Sequence, residues 1–311
     1  MQELKDSKAN CAIQLMRIDD LDGAARIVEN ELGACEDRGT SKSVWSLRLI
    51  RADLTRLRGF TEQALTYLTS RRSEFPPEED DLASLAAIDS YSGYYMGLFG
   101  RYPSAHLLMS RAEEIARFAD LHEIVCEVQQ RQAMIFYLQH DYASSDRIFR
   151  LILDSSRQIG GWYFRANAQW GIGKNLMIQG HHSEALPWLD DACALFAGAG
   201  VRQSVATVWS EMAVCHLGLG DDVTSLRLLK DALEANREAG TVQNYQVVLA
   251  NIGNVYLHRG DNLTAATYYR RALDVAREIK DPVSVEKWTY NIRLAYARLR
   301  QSVDRLDSHA T

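Results

Sequence analysis

The apolar positions of this chain recur at helical spacings rather than in alternation. Leu249, Ile252, Gly253 and Tyr256 fall on one face of a helix, and Ala265, Tyr269 and Ala272 follow at spacings of four and three on the next. Turn signals separate such segments. Gly100, Gly180, Gly220 and Gly260 fit one period of 40 residues, with His140 in the vacant slot. Counting back leads to Phe60, beside Gly59, and then to Asp20 within Asp19-Asp20. Second marks lie half a period away, at Asp120, Gly160-Gly161, Gly200, Gly240 and Lys280 followed by Asp281-Pro282. Each half-period therefore predicts one helix of about 15 residues and a short connection, the dimensions of an antiparallel helical hairpin.

The punctuation residues suit these roles. Glycine takes the left-handed position that ends a helix. Asp221-Asp222, Asp261-Asn262 and Asp281-Pro282 supply N-cap and first-turn groups for the helices that follow. Glu78, Glu79, Asp80 and Asp81 precede a helix expected from Leu82, where carboxylates suit the helix dipole.

The segment NIGNVYLHRGDNLTAATYYRRAL resembles a tetratricopeptide repeat. Gly253 and Ala265 stand at its small positions, Tyr256 at its aromatic, Tyr269 at its large residue and Ala272 at its alanine. Shifted by 40, the pattern returns as Gly173, Leu176, Ala185, Leu189 and Ala192, and again as Gly93, Met96, Ala105, Met109 and Ala112. Trp209 matches the family's early tryptophan, and Ala213, Ser225, Leu229 and Ala232 complete that unit, with His216 replacing the usual aromatic. The resemblance implies an all-α, right-handed superhelical solenoid of about seven antiparallel helix pairs plus a capping helix. It covers about 20–300. Residues 1–75 read as divergent N-terminal repeats, 82–280 as regular 40-residue repeats, and 281–300, with Trp288, Tyr290 and Tyr296, as the capping helix. The polar tail 301–311 is expected to fray. The 40-residue spacing is similar to that of the long repeats of bacterial signalling regulators and kinesin light chains.

Composition narrows the function. A compact domain of 311 residues would suggest two cores, but a repeat array buries each unit only against its neighbours. The formal net charge of −6 argues against a phosphate-tracking surface, so nucleic acid is not expected as a partner. The first ten residues are polar with no apolar run after them, which predicts no signal peptide, and no stretch of about 18 apolar residues predicts a membrane span. Cys11, Cys35, Cys126, Cys193 and Cys215 are odd in number and widely spaced, the usage of a reducing, cytoplasmic compartment.

Catalytic and metal motifs are not expected. His181-His182, with His140 and His216, lacks the i, i+4 pair of zinc helices. The glycines of GGWYF at 160–164 and GIGK at 171–174 follow no predicted strand and do not have phosphate-loop spacing. The chain is therefore expected to be no enzyme and to need no cofactor.

The resemblance places a ligand on a concave wall built from the first helix of each pair, at positions roughly 13, 10, 6 and 3 before the turn. That register yields Tyr94, Gln130, Met134, Tyr137, Asn167, Trp170, Lys174, Met177 and Asn254 as candidate groove residues. Aromatic and thioether surfaces beside a few polar anchors are what peptide-binding sites use. The expected partner is a peptide or protein segment, bound by a scaffold or sensor in regulation or signalling. Related regulators carry a DNA-binding or ATPase domain, for which 82–280 and its flanks leave no room, so a stand-alone adaptor or sensor region is expected. The alternatives are a homodimer formed through the groove or a terminal face, and a small-molecule sensor using Tyr137, Trp170 and Lys174. A carboxylate clamp from Asn254, Lys287 and Asn291 is incomplete, because Ala250 stands where a lysine is needed.

Overall fold

The computed structural model describes residues 12–13, 16, 21–35, 42–57, 60–72, 82–159, 161–239 and 242–309. Asp19-Asp20, Gly59, Glu78 through Asp81, Gly160 and Gly240 lie outside the described residues. The architecture is all-α, with no strand among the described residues. The helices are α1 (Leu21–Cys35), α2 (Lys42–Leu57), α3 (Thr61–Arg72), α4 (Leu82–Leu98), α5 (Tyr102–Phe118), α6 (His122–Leu138) and α7 (Tyr142–Ile159). They continue as α8 (Trp162–Ile178), α9 (His182–Gly198), α10 (Arg202–Gly218), α11 (Asp222–Ala239), α12 (Val242–His258), α13 (Asn262–Glu278) and α14 (Pro282–His309). Two compact units result, Met1–Asn175 and Leu176–Thr311.

The 20-residue rhythm is a backbone event. Gly100, Gly180, Gly200, Gly220 and Gly260 have positive φ, and so do Asp120, His140 and Lys280 at the same places in the period. Each of these turns closes in one way. The residue with positive φ donates three back, as from Lys280 to Arg277 O at 3.1 Å, and its successor donates five back, as from Asp281 to Ala276 O at 2.9 Å. This is the Schellman arrangement, which satisfies carbonyls that a helix end leaves open. The successor then opens the next helix. Asp141, Asp221, Asp261 and Asp281 accept from the backbone N–H three residues ahead at 3.0–3.1 Å, so one residue closes a turn and caps a helix.

In the first unit α4 pairs with α5 and α6 with α7, and the first helices of successive pairs touch: α2 with α4, and α4 with α6. The repeated positions of the second helices form the cores. Ala105, Met109 and Ala112 are fully buried. Fully burying a side chain the size of Met109 contributes about 1.5–3 kcal/mol. Gly93 lets α5 approach, since a Cβ there would stand 3.0 Å from the carbonyl oxygen of Ala105.

The second unit repeats the scheme in α10–α11 and α12–α13. Ser225, Leu229 and Ala232 lie buried on α11, and Ala265, Tyr269 and Ala272 on α13. The capping helix covers α13 through Trp288 and Ala295. Trp288 Nε1 donates to Gln246 Oε1 at 3.1 Å, and Gln246 Nε2 donates to Asp281 Oδ2 at 3.2 Å, so α12 is tied to both α14 and its cap. The backbone of α14 continues to His309, past the 281–300 segment expected from the sequence.

Candidate functional site

On the first helices of the first unit, cationic side chains lie against aromatic rings. Residues three and four apart on a helix share a face, so α4 presents Tyr91, Tyr94 and Tyr95 together. Arg56 of α2 donates to Asp53 at 2.7 Å and lies 5.7 Å from the Tyr94 ring centre. The Tyr95 hydroxyl donates to the same Asp53 oxygen at 3.3 Å. One helix pair further on, the Arg131 guanidinium of α6 lies 3.9 Å over the Tyr91 ring. Its Nη1 donates to Ser90 Oγ at 3.2 Å, and Glu127 stands 3.4 Å from both Nη atoms. Lys174 of α8 then places its Nζ 4.9 Å from the Tyr137 ring centre and 5.6 Å from that of Trp170. Each of these cations is thus seated against an aromatic face, a contact worth about 0.5–2 kcal/mol depending on exposure.

Burial sets the electrostatics of this set. Desolvation pushes the Tyr91 phenol above its ordinary range, with Arg131 opposing it. Desolvation, then Asp53, raises Tyr95 in the same way. For Arg131, burial works against the charge, but the neighbouring Glu127 carboxylate opposes it, and the guanidinium stays protonated. These tyrosines are therefore neutral donors and ring platforms, and the arginine is a permanent cation.

Of the expected residues, the structure brings Lys174 together with Tyr137 and Trp170. Tyr94, Gln130, Met134, Tyr137, Trp170 and Lys174 are half-buried in the first unit. Asn167 is 9% exposed, and its Nδ2 donates to Tyr163 O of its own helix at 2.8 Å. Met177 and Asn254 lie in the second unit, both half-buried. Asn254 accepts from the Tyr269 hydroxyl at 2.7 Å and donates to Asn251 at 3.3 Å. Of the incomplete clamp, Lys287 lies 4.9 Å from the ring centre of its neighbour Trp288.

The expected register omitted Asp53, Arg56, Tyr91 and Arg131. The cluster of tyrosines in YSGYY on α4 was the available signal, because three rings on one half-buried face invite cations from the neighbouring helices. The buried thiols offer no comparable chemistry: burial pushes Cys126 up to about 11 and Cys215 up to about 12, which keeps both protonated and unreactive near neutrality.

Residues 204–278 match the model of the tetratricopeptide repeat. Residues 204–278 carry tetratricopeptide repeats. Among solved structures, this repeat chain is similar to a Rap protein complexed with competence and sporulation factor, at TM-score 0.71 and 19% identity over 97% of this chain and 85% of that one. It is also similar to NprR in complex with its cognate peptide NprX, at TM-score 0.65 and 14% identity over 97% and 87% of the two chains. A signal-transduction ATPase with a tetratricopeptide repeat sensor from Pyrococcus horikoshii aligns at TM-score 0.67 and 13% identity, over 97% of this chain and 49% of that one. At these identities the likeness establishes the tetratricopeptide fold. No curated protein matches the chain.

Proposed function

We propose that this protein is a regulatory scaffold or sensor that captures a peptide or protein segment on the first-helix face of its first unit. The observation that carries the reading is the frame around Lys174, a cation held against Tyr137 and Trp170 with Met134 and Gln130 half-buried nearby. Apolar platforms with a few fixed polar groups give a bound segment both contact area and orientation. Two of the similar folds, the Rap protein and NprR, were solved with competence and sporulation factor and with a cognate peptide respectively, which supports the same use of the fold here.

Selection of a displayed random nonapeptide library on the immobilised full chain tests this. Enriched peptides are expected to bind the parent and to lose at least about tenfold in affinity for Tyr94→Ala/Trp170→Ala/Lys174→Ala, with helical circular dichroism intact. Enriched peptides that bind the triple variant as tightly as the parent would place the site elsewhere.

A further inference from the structure

The charges on this face specify the chemistry of its ligand, given that the face binds a segment at all. Arg131 has only 17% of its side chain exposed, yet its ion pair is slack. Both contacts to Glu127 measure 3.4 Å, against about 2.7–2.9 Å for a settled charge-assisted bond. Glu127 itself is 43% exposed. Tyr91 fixes the plane of the guanidinium and Ser90 fixes one nitrogen. A guanidinium so oriented, with its fork only partly used, is prepared for a carboxylate that can approach more closely than Glu127 does.

Lys174 supplies a second cation, on the first helix of the following pair. It sits against Tyr137, six residues after Arg131 on α6. Met134 lies midway between them in sequence and is half-buried. The whole chain carries a formal charge of −6, so bulk attraction does not favour an acidic ligand, and any preference for one must come from these local cations.

We infer that the bound segment is an extended acidic peptide with two carboxylates, one meeting Arg131 and the other Lys174, and an apolar side chain between them on Met134 and Trp170. Either carboxylate can be an Asp or Glu side chain or a chain terminus, since the cations recognise the same group in both.

The enriched nonapeptides of the selection above decide the matter when synthesised in four forms: unchanged, with each acid changed to its amide, with a free C-terminus, and with an amidated one. Fluorescence anisotropy with the full chain is expected to show binding at least about tenfold tighter for peptides carrying two acids than for their amide counterparts. Lys174→Gln should abolish that preference and Lys174→Arg should keep it. Arg131→Gln should weaken it and Arg131→Lys should restore part of it. Loss confined to C-terminal amidation identifies the terminus as one of the carboxylates. Neutral or basic enriched peptides, or an acid preference unchanged in Lys174→Gln, would overturn the acidic assignment and leave segment binding standing. A folded parent that enriches no peptide would remove the segment-binding reading itself.

Discussion

The phenolic hydroxyl of Tyr269 donates a 2.7 Å hydrogen bond to Oδ1 of Asn254. It joins the second helix of the last full pair to the first, across the small contact at Gly253, where a Cβ would stand 2.8 Å from the tyrosine ring. Burial pushes this phenol up to about 12, so it remains a donor throughout the neutral range. Asn254 is thereby engaged inside the fold.

Tyr269→Phe should lower stability by about 0.5–1.5 kcal/mol, the net worth of one such bond, with an unchanged urea m-value. Asn254→Ala should cost a similar amount, and the double variant less than the sum of the two, because the second change removes a bond already lost. Equilibrium urea unfolding measures all three, and strict additivity would show that the bond contributes nothing.

Ala265 is fully buried on the second helix of that pair, one turn before Tyr269. Ala265→Leu adds three carbon atoms to a site with no space for them, and overpacking of this kind typically costs about 1–3 kcal/mol. The exposed Lys230 of α11 provides a control: Lys230→Leu, on the solvated side, should change the midpoint little. Thermal unfolding distinguishes the two.

Lys280 has a φ of 56° and an exposed side chain. A side-chain-bearing residue in the left-handed region costs about 1–2 kcal/mol, and part of that is recovered when glycine replaces it. Lys280→Gly should therefore raise stability by about 0.5–1 kcal/mol. The converse change, Gly260→Ala at a φ of 79°, should lower it. A Lys280→Gly protein that melts below the parent would contradict this account of the turn.

The aspartate caps predict an acid-sensitive stability. Hydrogen bonds from the Ser144, Thr224 and Thr264 side chains, and then from their backbone N–H groups, hold Asp141, Asp221 and Asp261 below the usual carboxylate range. Because the folded-state values are depressed, the contribution is complete above the unfolded value of about 3.9 and is lost as the pH falls through the folded values. Asn at the three positions keeps an N-cap acceptor but cannot titrate. The melting temperature of Asp141→Asn/Asp221→Asn/Asp261→Asn should fall less between pH 5 and pH 2.5 than that of the parent, a range chosen about the unfolded carboxylate value.

The turn register was legible because it is dictated locally. A left-handed residue followed by a cap recurs wherever a helix must end and another begin, and even the non-glycine marks at Asp120, His140 and Lys280 were readable from their place in the period. The buried positions of the second helices were equally plain, since Ala105, Ala185 and Ala265 recur at 80-residue steps, two periods of 40, and are all fully buried. The charged set on the first helices was less so. Arg131 lies one residue beyond Gln130, about 100° further round the helix, and its environment is supplied by Tyr91 on a different pair. A helical period cannot report which neighbour a long side chain reaches. Asp53 and Arg56 fell within the divergent 1–75 segment, where no repeat register was available to place them.

The shared turn has a consequence for how such a chain can change its length. First helices present Gly93, Ser90 and Tyr91 to their neighbours, while second helices present Ala105 and Met109. Losing or duplicating 40 residues leaves every surface facing its proper neighbour, joined by the same hydrogen-bonded turn. Losing or duplicating 20 fits the turns equally well but exchanges first helices for second ones beyond that point. Descent of this chain is therefore expected to have proceeded by whole hairpins, with the turn permitting either step and the helix faces selecting only the longer one.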